Sequence, residues 1–474
     1  MALAIAVIAG ACSSATAPPA GHALTLQGRA LTSCTLTGTR GLIVAALCGT
    51  LSVAEDPTRK GGRKIDLFVA VKPAREPGPT GPPVFFIAGG PGGVTTADWA
   101  EAPIIFSGLN DHHDLVLVDQ RGTGRSHEVS VPNPDPGEAP ADFARRVLAA
   151  LDGDPRFYTT AVAVDDLDAV RAALGYSKID LYGGSYGATA VQYYIRRHGE
   201  HVAAAVLDGG TRVDVPILEL IAKNSQLALD DVLDRCARET PCRTAFPNVR
   251  AELRTILARL AAKPVKTDVT DPEGNPIVFT PDVFAGTLHS LLVGSESGSI
   301  PWLIHQASTG DLLSAAVALS RYLGTPGART LMMQVEILCS EAWARNDPAN
   351  IAATGKGSYM LANQLSIAAK YATACRYAPP GYVSADDAQP VSTTAPVLLL
   401  NGSDDPQDPP ANVAGYETLM PNALLVVAPG QGHTVAHIGC LPKVVVRFFD
   451  SGQTDPEYAQ TCTASMSPPE FRLA

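Results

Sequence analysis

The sequence predicts an α/β fold with a mostly parallel central sheet and helices on both faces of that sheet. The first observation is a series of short, continuous apolar runs, most of which stop at glycine, as strands buried on both faces do. The second is that segments with helical periodicity fill the gaps, and alternating strands and helices form parallel sheets. The runs are Val84–Ile87, Leu115–Val118, Ile179–Tyr182, Ala203–Leu207, Val397–Leu400 and Leu424–Val427.

The strand rhythm is interrupted between residues 212 and 385. Helical periodicity dominates there, for example from Val232 to Leu260, and the strand pattern resumes at Val397. We therefore expect one split domain with a mostly helical inserted cap. The expected parts are an export signal and tether at 1–33, the first part of the core at 34–211, the cap at 212–385 and the second part of the core at 386–474.

Composition restricts the class of protein. The 474 residues are 46% hydrophobic and 18% charged, with a formal net charge of −11. This composition is globular, and a disordered chain would be poorer in apolar residues. Without a run of Lys or Arg we expect no nucleic-acid partner, because such binding needs clustered positive charge. No apolar stretch is long enough for a spanning helix, and nothing implies an obligate protein partner.

The amino terminus and the cysteines both indicate export. Met1 to Ala11 is apolar and ends in small residues before Cys12, as in a signal peptide or a bacterial lipoprotein signal. We expect lipid on Cys12, hence possible membrane anchoring, and a location in the bacterial cell envelope or outside the cell. An ordinary signal peptide with an incidental cysteine is the alternative. The eight other cysteines contain no CxxC pair and favour disulfides between sequence neighbours: Cys34–Cys48, Cys236–Cys242, Cys339–Cys375 and Cys440–Cys462.

The segment Gly183-Gly184-Ser185-Tyr186-Gly187 matches the G-x-S-x-G nucleophile pattern. It follows a predicted strand and precedes a helical run, which is the context that the pattern requires in an α/β-hydrolase fold. Side chains two positions before and after the serine would collide with neighbouring elements, and glycine removes them. We therefore expect Ser185 to be a nucleophile at a helix N-terminus.

A serine nucleophile needs a base and an orienting acid. In this fold the acid and then the histidine follow the serine along the chain. His433 lies in a glycine-rich loop after the last predicted strand, whereas His437 is deeper in the next segment and is interpreted as structural. The acid should follow the strand Val397–Leu400. Asp405 is the expected acid there, with Asp404 as its nearest rival and Asp408 as a more distant one.

The tetrahedral intermediate needs two N–H donors. The backbone of Tyr186 is expected to supply one. The loop after Ile87 should supply the other, from Gly90 or alternatively Gly89, because Pro91 has no N–H. A phosphate-binding loop is excluded because no Gly-Lys-Ser/Thr follows. No metal or cofactor is expected.

Together these segments resemble the proline iminopeptidases and tripeptidyl aminopeptidases of peptidase family S33. Residues 88–93 are similar to the family's HGGPGG, with Ala88 in place of the histidine that braces the oxyanion loop. Residues 119–126 are similar to DQRGxGxS, 183–187 to GGSYG, 400–410 to LxGxxDPxxP and 430–433 to GxGH. The resemblance extends from about Cys34 to Cys462, where two cysteines flank a last helix as in the tripeptidyl-aminopeptidase-like C-terminal region.

The resemblance implies an exported aminopeptidase that acts on peptides through an acyl-enzyme on Ser185. It also implies cap carboxylates that bind the substrate ammonium group, for which Glu341, beside Cys339, and Glu219 are the candidates. An esterase or other acyl hydrolase on the same triad is the alternative, since fold and triad do not determine substrate. A lipid-anchored binding protein with a degenerate site is a further, non-enzymatic alternative.

Overall fold

Nine strands form the central sheet of the protein, seen in a computed structural model that describes residues 24–76, 81–101, 106, 108–131, 135, 138–272, 274–323 and 330–474. Their order across the sheet is β9-β8-β7-β6-β4-β5-β3-β2-β1. Strands β4 to β9 are parallel to one another, whereas β3 pairs antiparallel with β5, β2 with β3, and β1 with β2. The strands are β1 Thr32–Thr37, β2 Ile43–Ala54, β3 Lys64–Lys72, β4 Val84–Ile87, β5 Leu115–Val118, β6 Ile179–Gly184, β7 Val202–Asp208, β8 Val397–Gly402 and β9 Ala423–Ala428.

The register brings the carboxyl ends of the parallel strands to one edge of the sheet. Ile87 pairs with Gly183, Gly184 with Asp208, and Asp208 with Leu400. Every residue of β4, β5 and β8 is buried, which is why these strands are apolar apart from Asn401 near the end of β8. The loops that follow them therefore converge above the same edge, where sites form in α/β folds.

Helices cover both faces of this sheet. Core residues of α4 and α5 pack with Phe85, Leu181 and Leu207 on one face. Residues of α1 and α16 pack with Phe86 and Val206 on the other. The helices of this core are α1 Thr95–Glu101, α2 Leu109–His112, α3 Pro140–Ala150, α4 Thr160–Leu174, α5 Tyr186–His198, α15 Tyr416–Leu419, α16 Leu441–Ser451 and α17 Pro456–Ala464.

A mostly helical cap is inserted between β7 and β8. It has its own hydrophobic core, which includes Leu229, Ile256 and Phe284, and a hairpin of Val265–Thr270 with Pro276–Phe279. An irregular helical turn, Leu338–Ala342, follows α12. The cap helices are α6 Ile217–Arg238, α7 Thr240–Ala245, α8 Val249–Ala262, α9 Pro281–Val293, α10 Ile300–Thr309, α11 Leu313–Leu323, α12 Met332–Ile337, α13 Pro348–Thr354 and α14 Leu361–Ala374.

Both ends of the described chain differ from the expected organisation. Residues 24–33, expected as tether, are folded: Thr25–Leu26 pairs with Arg29–Ala30, and Leu24, Leu26 and Leu31 are buried in the core. At the other end, the backbone N–H of Arg472 donates to Gly298 O of the cap at 3.1 Å. The final segment therefore contacts the cap as well as the core. In both cases apolar or aromatic side chains are buried against residues distant in sequence, and short local patterns do not reveal such contacts.

The structure pairs the eight described cysteines as neighbours in sequence. The Cα–Cα distances are 5.9 Å for Cys34–Cys48, 5.1 Å for Cys236–Cys242, 5.1 Å for Cys339–Cys375 and 5.8 Å for Cys440–Cys462. Cys12 and the apolar leader lie outside the described residues. Within the described parts of the chain, no helix combines the length and apolarity that crossing a membrane needs.

Candidate active site

Ser185 stands at the sharp turn between β6 and α5. Its φ of 56° and ψ of −125° are unusual for a residue with a side chain, and strain of this kind often marks a functional position. A Cβ on Gly183 would collide with the backbone of Gly187, and one on Gly187 with the carbonyl of Ile87. The glycines thus allow the turn that exposes the serine above the sheet edge.

The imidazole of His433 is held by Asp405. Nδ1 of His433 donates to Asp405 Oδ2 at 2.8 Å. The other carboxylate oxygen, Oδ1, accepts the backbone N–H groups of Gln407 and Asp408 at 2.8 and 2.9 Å. The loop after β8 therefore fixes the carboxylate, which fixes the tautomer and orientation of the ring.

The structure separates the three competing aspartates. Asp404 accepts a hydrogen bond from Ser403 Oγ at 2.6 Å, and Asp405 rather than Asp404 meets the histidine. Asp408 is the second carboxylate near the ring, and its Oδ2 lies 3.5 Å from His433 Nδ1. Its carboxylate, considered a distant rival from the sequence, adds a second negative charge beside the imidazole.

Asp208, which sequence reasoning did not single out, orients the histidine loop from the end of β7. Its carboxylate accepts the Tyr182 hydroxyl at 2.7 Å and the backbone N–H of Val435 at 2.6 Å. The only sequence signal was its position at the end of an apolar run. Because Val435 is two residues after His433, this contact restricts the path of the loop.

The histidine loop is also bonded to the cap. The backbone N–H of His433 donates to Val293 O, at the end of α9, at 2.9 Å. A Cβ on Gly432 would collide with Leu292 O, so glycine permits the close approach. The base is thus positioned by the core and the cap together.

The electrostatic surroundings favour a charged histidine. Burial disfavours the imidazolium, but the negative charges of Asp405 and Asp408 outweigh it and raise the pKa of His433 to about 9. Burial, together with the neighbouring Asp405 charge, raises the pKa of Asp408. Such carboxylates stabilise the imidazolium that forms when a histidine accepts a serine proton.

The second ring nitrogen of His433 is available for proton transfer. Nε2 is buried and has no hydrogen-bond partner among the residues that the structure describes. Ser185 Oγ is not bonded to it here, and hydrogen bonds of this type often tighten only when substrate is bound. The arrangement therefore matches what the expected nucleophile, base and orienting acid require.

The candidate oxyanion donors border the same space as Ser185. Tyr186 begins α5, where backbone N–H groups have no acceptor within the helix. Gly90, with a φ of 117°, lines a cavity with Ser185 and Tyr186, while the alternative Gly89 lies beside Ser185 on the other side. Ala88 is buried at the base of this loop.

The cavity of Gly90 and Tyr186, here named the cap-side cavity, has a volume of about 250 Å³. Its cap wall is largely apolar and includes Ile217, Leu218 and Ile337. The charged residues in this lining are Glu341, Arg345 and Arg212 of the cap and Asp408 of the core. The cavity therefore offers a partly apolar space beside the candidate nucleophile, with Glu341 as its cap carboxylate.

Glu341 lies in the irregular turn Leu338–Ala342 and is buried. Its Oε1 accepts the backbone N–H of Thr160 at 2.7 Å, and burial raises the pKa of the carboxyl to about 7. The guanidinium of Arg345 donates to the backbone oxygens of Val213 and Glu341. Glu341 thus presents a carboxylate to the cavity.

The structure gives Glu219, the second expected substrate-binding acid, partners within the cap. Its carboxylate accepts the backbone N–H of Asp347 at 2.8 Å, and its own N–H donates to Asn346 Oδ1 at 3.0 Å. Glu219 therefore connects α6 to the start of α13 and does not line the cap-side cavity. His437, interpreted as structural, is exposed and borders a second space beside Ser185.

Two clusters of described residues bring three possible metal ligands within 4.8 Å of one another. One is Asp405, Asp408 and His433, whose hydrogen bonds are those described above. The other is Asp168, His198 and His201 at the carboxyl end of α5. There the oxygens of Asp168 accept from Arg171 and from the Tyr194 hydroxyl, so cationic and hydroxyl donors already satisfy this carboxylate.

Comparison with known families identifies the class of protein. The sequence model of the alpha/beta hydrolase fold matches residues 82–438, most of the chain. The chain therefore belongs to the α/β-hydrolase fold family, as its sheet and its motifs predict, and it resembles the serine peptidases of that family.

Individual relatives carry both peptidase and esterase names. The chain is 27% identical over 226 residues to "Serine protease Hip1" of Mycobacterium tuberculosis, a match that covers 42% of each protein. It is 34% identical over 131 residues to "Proline iminopeptidase" of Neisseria gonorrhoeae, covering 28% of this chain and 33% of that protein. These matches span less than half of each relative. "Carboxylesterase B" of M. tuberculosis is 28% identical over 466 residues, covering 87% of this chain and 86% of that protein.

Proposed function

We propose that this hydrolase is an aminopeptidase that uses Ser185, His433 and Asp405 as its catalytic triad. Ser185 Oγ attacks the substrate carbonyl carbon while His433 Nε2 accepts the serine proton. His433 then donates that proton to the leaving amine, and an acyl-enzyme remains on Ser185. Water, activated by His433, releases the acyl group. Tyr186 and Gly90 N–H groups stabilise the oxyanion of both tetrahedral intermediates.

The position of Glu341 in the cap-side cavity supports a peptidase that recognises free amino termini. An ammonium group entering an apolar cavity loses its hydration and needs a carboxylate partner. Glu341 lines the same cavity as Ser185 and forms no ion pair with Arg345, whose guanidinium is bonded to backbone oxygens. Binding an ammonium would also favour the ionised form of this carboxyl.

The decisive experiment compares an aminoacyl nitroanilide with its analogue that lacks only the α-amine. We expect the free amine to lower KM in the wild type. Glu341→Gln should raise KM for the amine substrate about tenfold, since a charge-assisted hydrogen bond contributes about 1.5–3 kcal/mol. Glu219→Gln is the matched control, because its carboxylate binds the backbone of Asp347. An equal loss on both substrates in Glu341→Gln would make Glu341 structural.

An esterase on the same triad is the second candidate, and one observation favours it. The cap-side cavity is lined mainly by aliphatic side chains, including Val213, Val215 and Ile221, which suit a simple acyl chain. Short acyl esters hydrolysed in preference to every aminoacyl nitroanilide would establish the esterase and reject the aminopeptidase.

We also propose that the protein is exported and lipid-anchored through Cys12. Four disulfide pairs support an oxidising compartment. Intact-mass measurement on protein from the membrane fraction tests both points. A mature chain that begins beyond Cys12 without lipid mass would reject the anchor, and four or more free thiols before reduction would reject the disulfides.

A further inference from the structure

Ser185 borders a second cavity on the opposite side from the cap. This space, here named the α1-side cavity, has a volume of about 330 Å³, within the size range of small-molecule pockets. Ala88 and Gly89 of the oxyanion loop, Asp98 and Trp99 of α1, and Thr434 line it together with Ser185. Apart from Ser185, its described lining shares no residue with that of the cap-side cavity.

The walls of the α1-side cavity are aromatic. The ring centroids of Phe86, Phe106 and Tyr182 lie 5.2 to 5.7 Å from one another, and Trp99 adds a fourth ring to the lining. Aromatic faces attract cations, more so where water is partly excluded. Among the described residues, the lining contains no Lys or Arg, and His437 is its one basic side chain.

Asp98 gives this cavity a negative charge. Solvent reaches its side chain, and the structure gives its carboxylate no ion pair or hydrogen bond within the described residues. The surrounding protein, with the charges of Asp119 and Glu101, raises the pKa of Asp98 to about 6, so the carboxyl is still mostly ionised at neutral pH. The second acid of the lining, Asp208, is different because its oxygens already accept from Tyr182 and Val435.

The position of Asp98 is fixed from outside the cavity. Asp119 accepts the backbone N–H and the hydroxyl of Thr96 at 3.0 and 3.1 Å, which ties the start of α1 to the loop after β5. Ala88 supplies the space, because a longer side chain at this buried position would extend into the cavity. A carboxylate without a partner among the described residues thus stands on an anchored helix beside an open aromatic space.

The cavity lies where a leaving group must lie. His433 delivers its proton to the leaving group, so that group has to stand beside the histidine. Thr434, directly after His433, lines the α1-side cavity, whereas the oxyanion donors Gly90 and Tyr186 and the amine-binding candidate Glu341 line the cap-side cavity. The two cavities therefore meet at Ser185, one beside the candidate oxyanion donors and the other beside the histidine loop.

We propose that the α1-side cavity is the leaving-group subsite and that it selects leaving groups with a cationic side chain, such as arginine, through Asp98 and the aromatic walls. This inference rests on the proposed hydrolysis at Ser185. Binding at this subsite can be measured without turnover, so the subsite and the proposed function can fail separately.

The test uses the Ser185→Ala protein and calorimetric titration with argininamide, compared with citrullinamide, its neutral isostere. We expect argininamide to bind at least tenfold more tightly. Adding Asp98→Asn should bring the ratio close to one. Adding Glu101→Gln, a matched change on the same helix whose carboxylate bonds Arg40, should preserve it. Equal binding of both ligands, or a ratio unaffected by Asp98→Asn, would overturn the subsite.

Two further variants keep the result unambiguous. Ala88→Leu should weaken binding of argininamide by filling the cavity, and thermal melts of both variants exclude unfolding as the cause. If adding Glu341→Gln rather than Asp98→Asn removes the preference, the guanidinium binds in the cap-side cavity and the inference is wrong.

Turnover by the wild type then separates the subsite from the proposed function. With one acyl group, we expect a choline ester to exceed its neutral 3,3-dimethylbutyl isostere in kcat/KM by about the ratio found for binding. Hydrolysis with no preference for choline would overturn the subsite. Absence of hydrolysis of any ester or peptide, with the binding preference intact, would reject the proposed function and leave a cation site at Asp98.

Discussion

The core and the cap contribute to the space around Ser185 in different ways. In the core, Ser185, Asp405 and His433 each follow a parallel strand, and backbone hydrogen bonds fix the loops that carry them. In the cap, Glu341 stands on an irregular helical turn held by the Cys339–Cys375 disulfide. Its carboxylate contacts the core through Thr160.

This difference indicates a division of labour. Strand ends in a parallel sheet are held by ladders to neighbouring strands, which suits groups whose distances must be accurate to a fraction of an ångström. Helical insertions tolerate more variation and suit the recognition of different substrates. Core variants should therefore lose turnover on every substrate, whereas cap variants should lose selectivity.

The largest expected effect is in the core. Ser185→Ala and His433→Ala should each lower kcat about 10⁵- to 10⁶-fold, because nucleophile and base act as one unit. Peptide and ester turnover, with fluorophosphonate labelling of Ser185, measures this. Ser225→Ala is the matched control, since Ser225 Oγ lies 2.8 Å from His289 Nδ1 in a second, buried Ser–His pair. If Ser225→Ala lost turnover while Ser185→Ala remained active, the nucleophile would lie in the cap.

Asp405→Asn should cost less, about 10⁴-fold in kcat, because the oxyanion donors and substrate binding persist while the histidine tautomer is lost. Steady-state kinetics on an ester and a peptide should show the same loss. Asp404→Asn should retain activity, as its carboxylate contacts Ser403. The reverse outcome for these two variants would reassign the acid.

A cap variant should change selectivity and stability together. Replacing Cys339 and Cys375 by alanine opens a link across 36 positions, which should lower the free energy of unfolding by about 4 kcal/mol. KM for free-amine substrates should rise several-fold as the turn carrying Glu341 loosens. Removing Cys236–Cys242, which spans 6 positions, should cost about 2 kcal/mol and leave amine selectivity unchanged. Denaturant unfolding and paired kinetics separate the two outcomes.

The smallest effect concerns the pH dependence of the core. The protonated imidazole cannot accept the serine proton, so kcat/KM on a non-titrating ester should fall as pH decreases below about 9, the pKa of His433. Asp408→Asn removes one of the charges that raise this pKa and should shift the profile down by about 0.5–1 pH unit. An unchanged or upward-shifted profile would show that Asp408 does not act on His433.

Much of the core could be predicted because its signals are local. The apolar runs at β4 to β9 are short and have clear ends, and the ends of these strands in the structure lie within two residues of the predicted ones. The loops after them contain Ser185, His433 and Asp405, whose catalytic roles stay predictions. The antiparallel strands β1 to β3 were less evident because exposed residues interrupt their apolar pattern, most of all in β1 and β2. Residues 24–33 were accordingly expected as tether.

The cap acids could not be distinguished by local sequence. Glu219 and Glu341 both stand in helical segments near apolar residues. The difference comes from a partner 128 positions away in sequence, Asp347, whose backbone N–H binds Glu219. The α1-side cavity was missed for the same reason, because Asp98 belongs to no motif and its proximity to Ala88 depends on how α1 packs.

The hydrogen bond from His433 N–H to Val293 O has a consequence for the evolution and engineering of this protein. A cap joined only by its two connections could be exchanged as a module to change specificity. Here the last turn of α9 is a structural support of His433, the proposed general base, and the missing side chain at Gly432 makes room for that support. Any graft or truncation must therefore retain the end of α9, or the chemistry is lost along with the recognition surface.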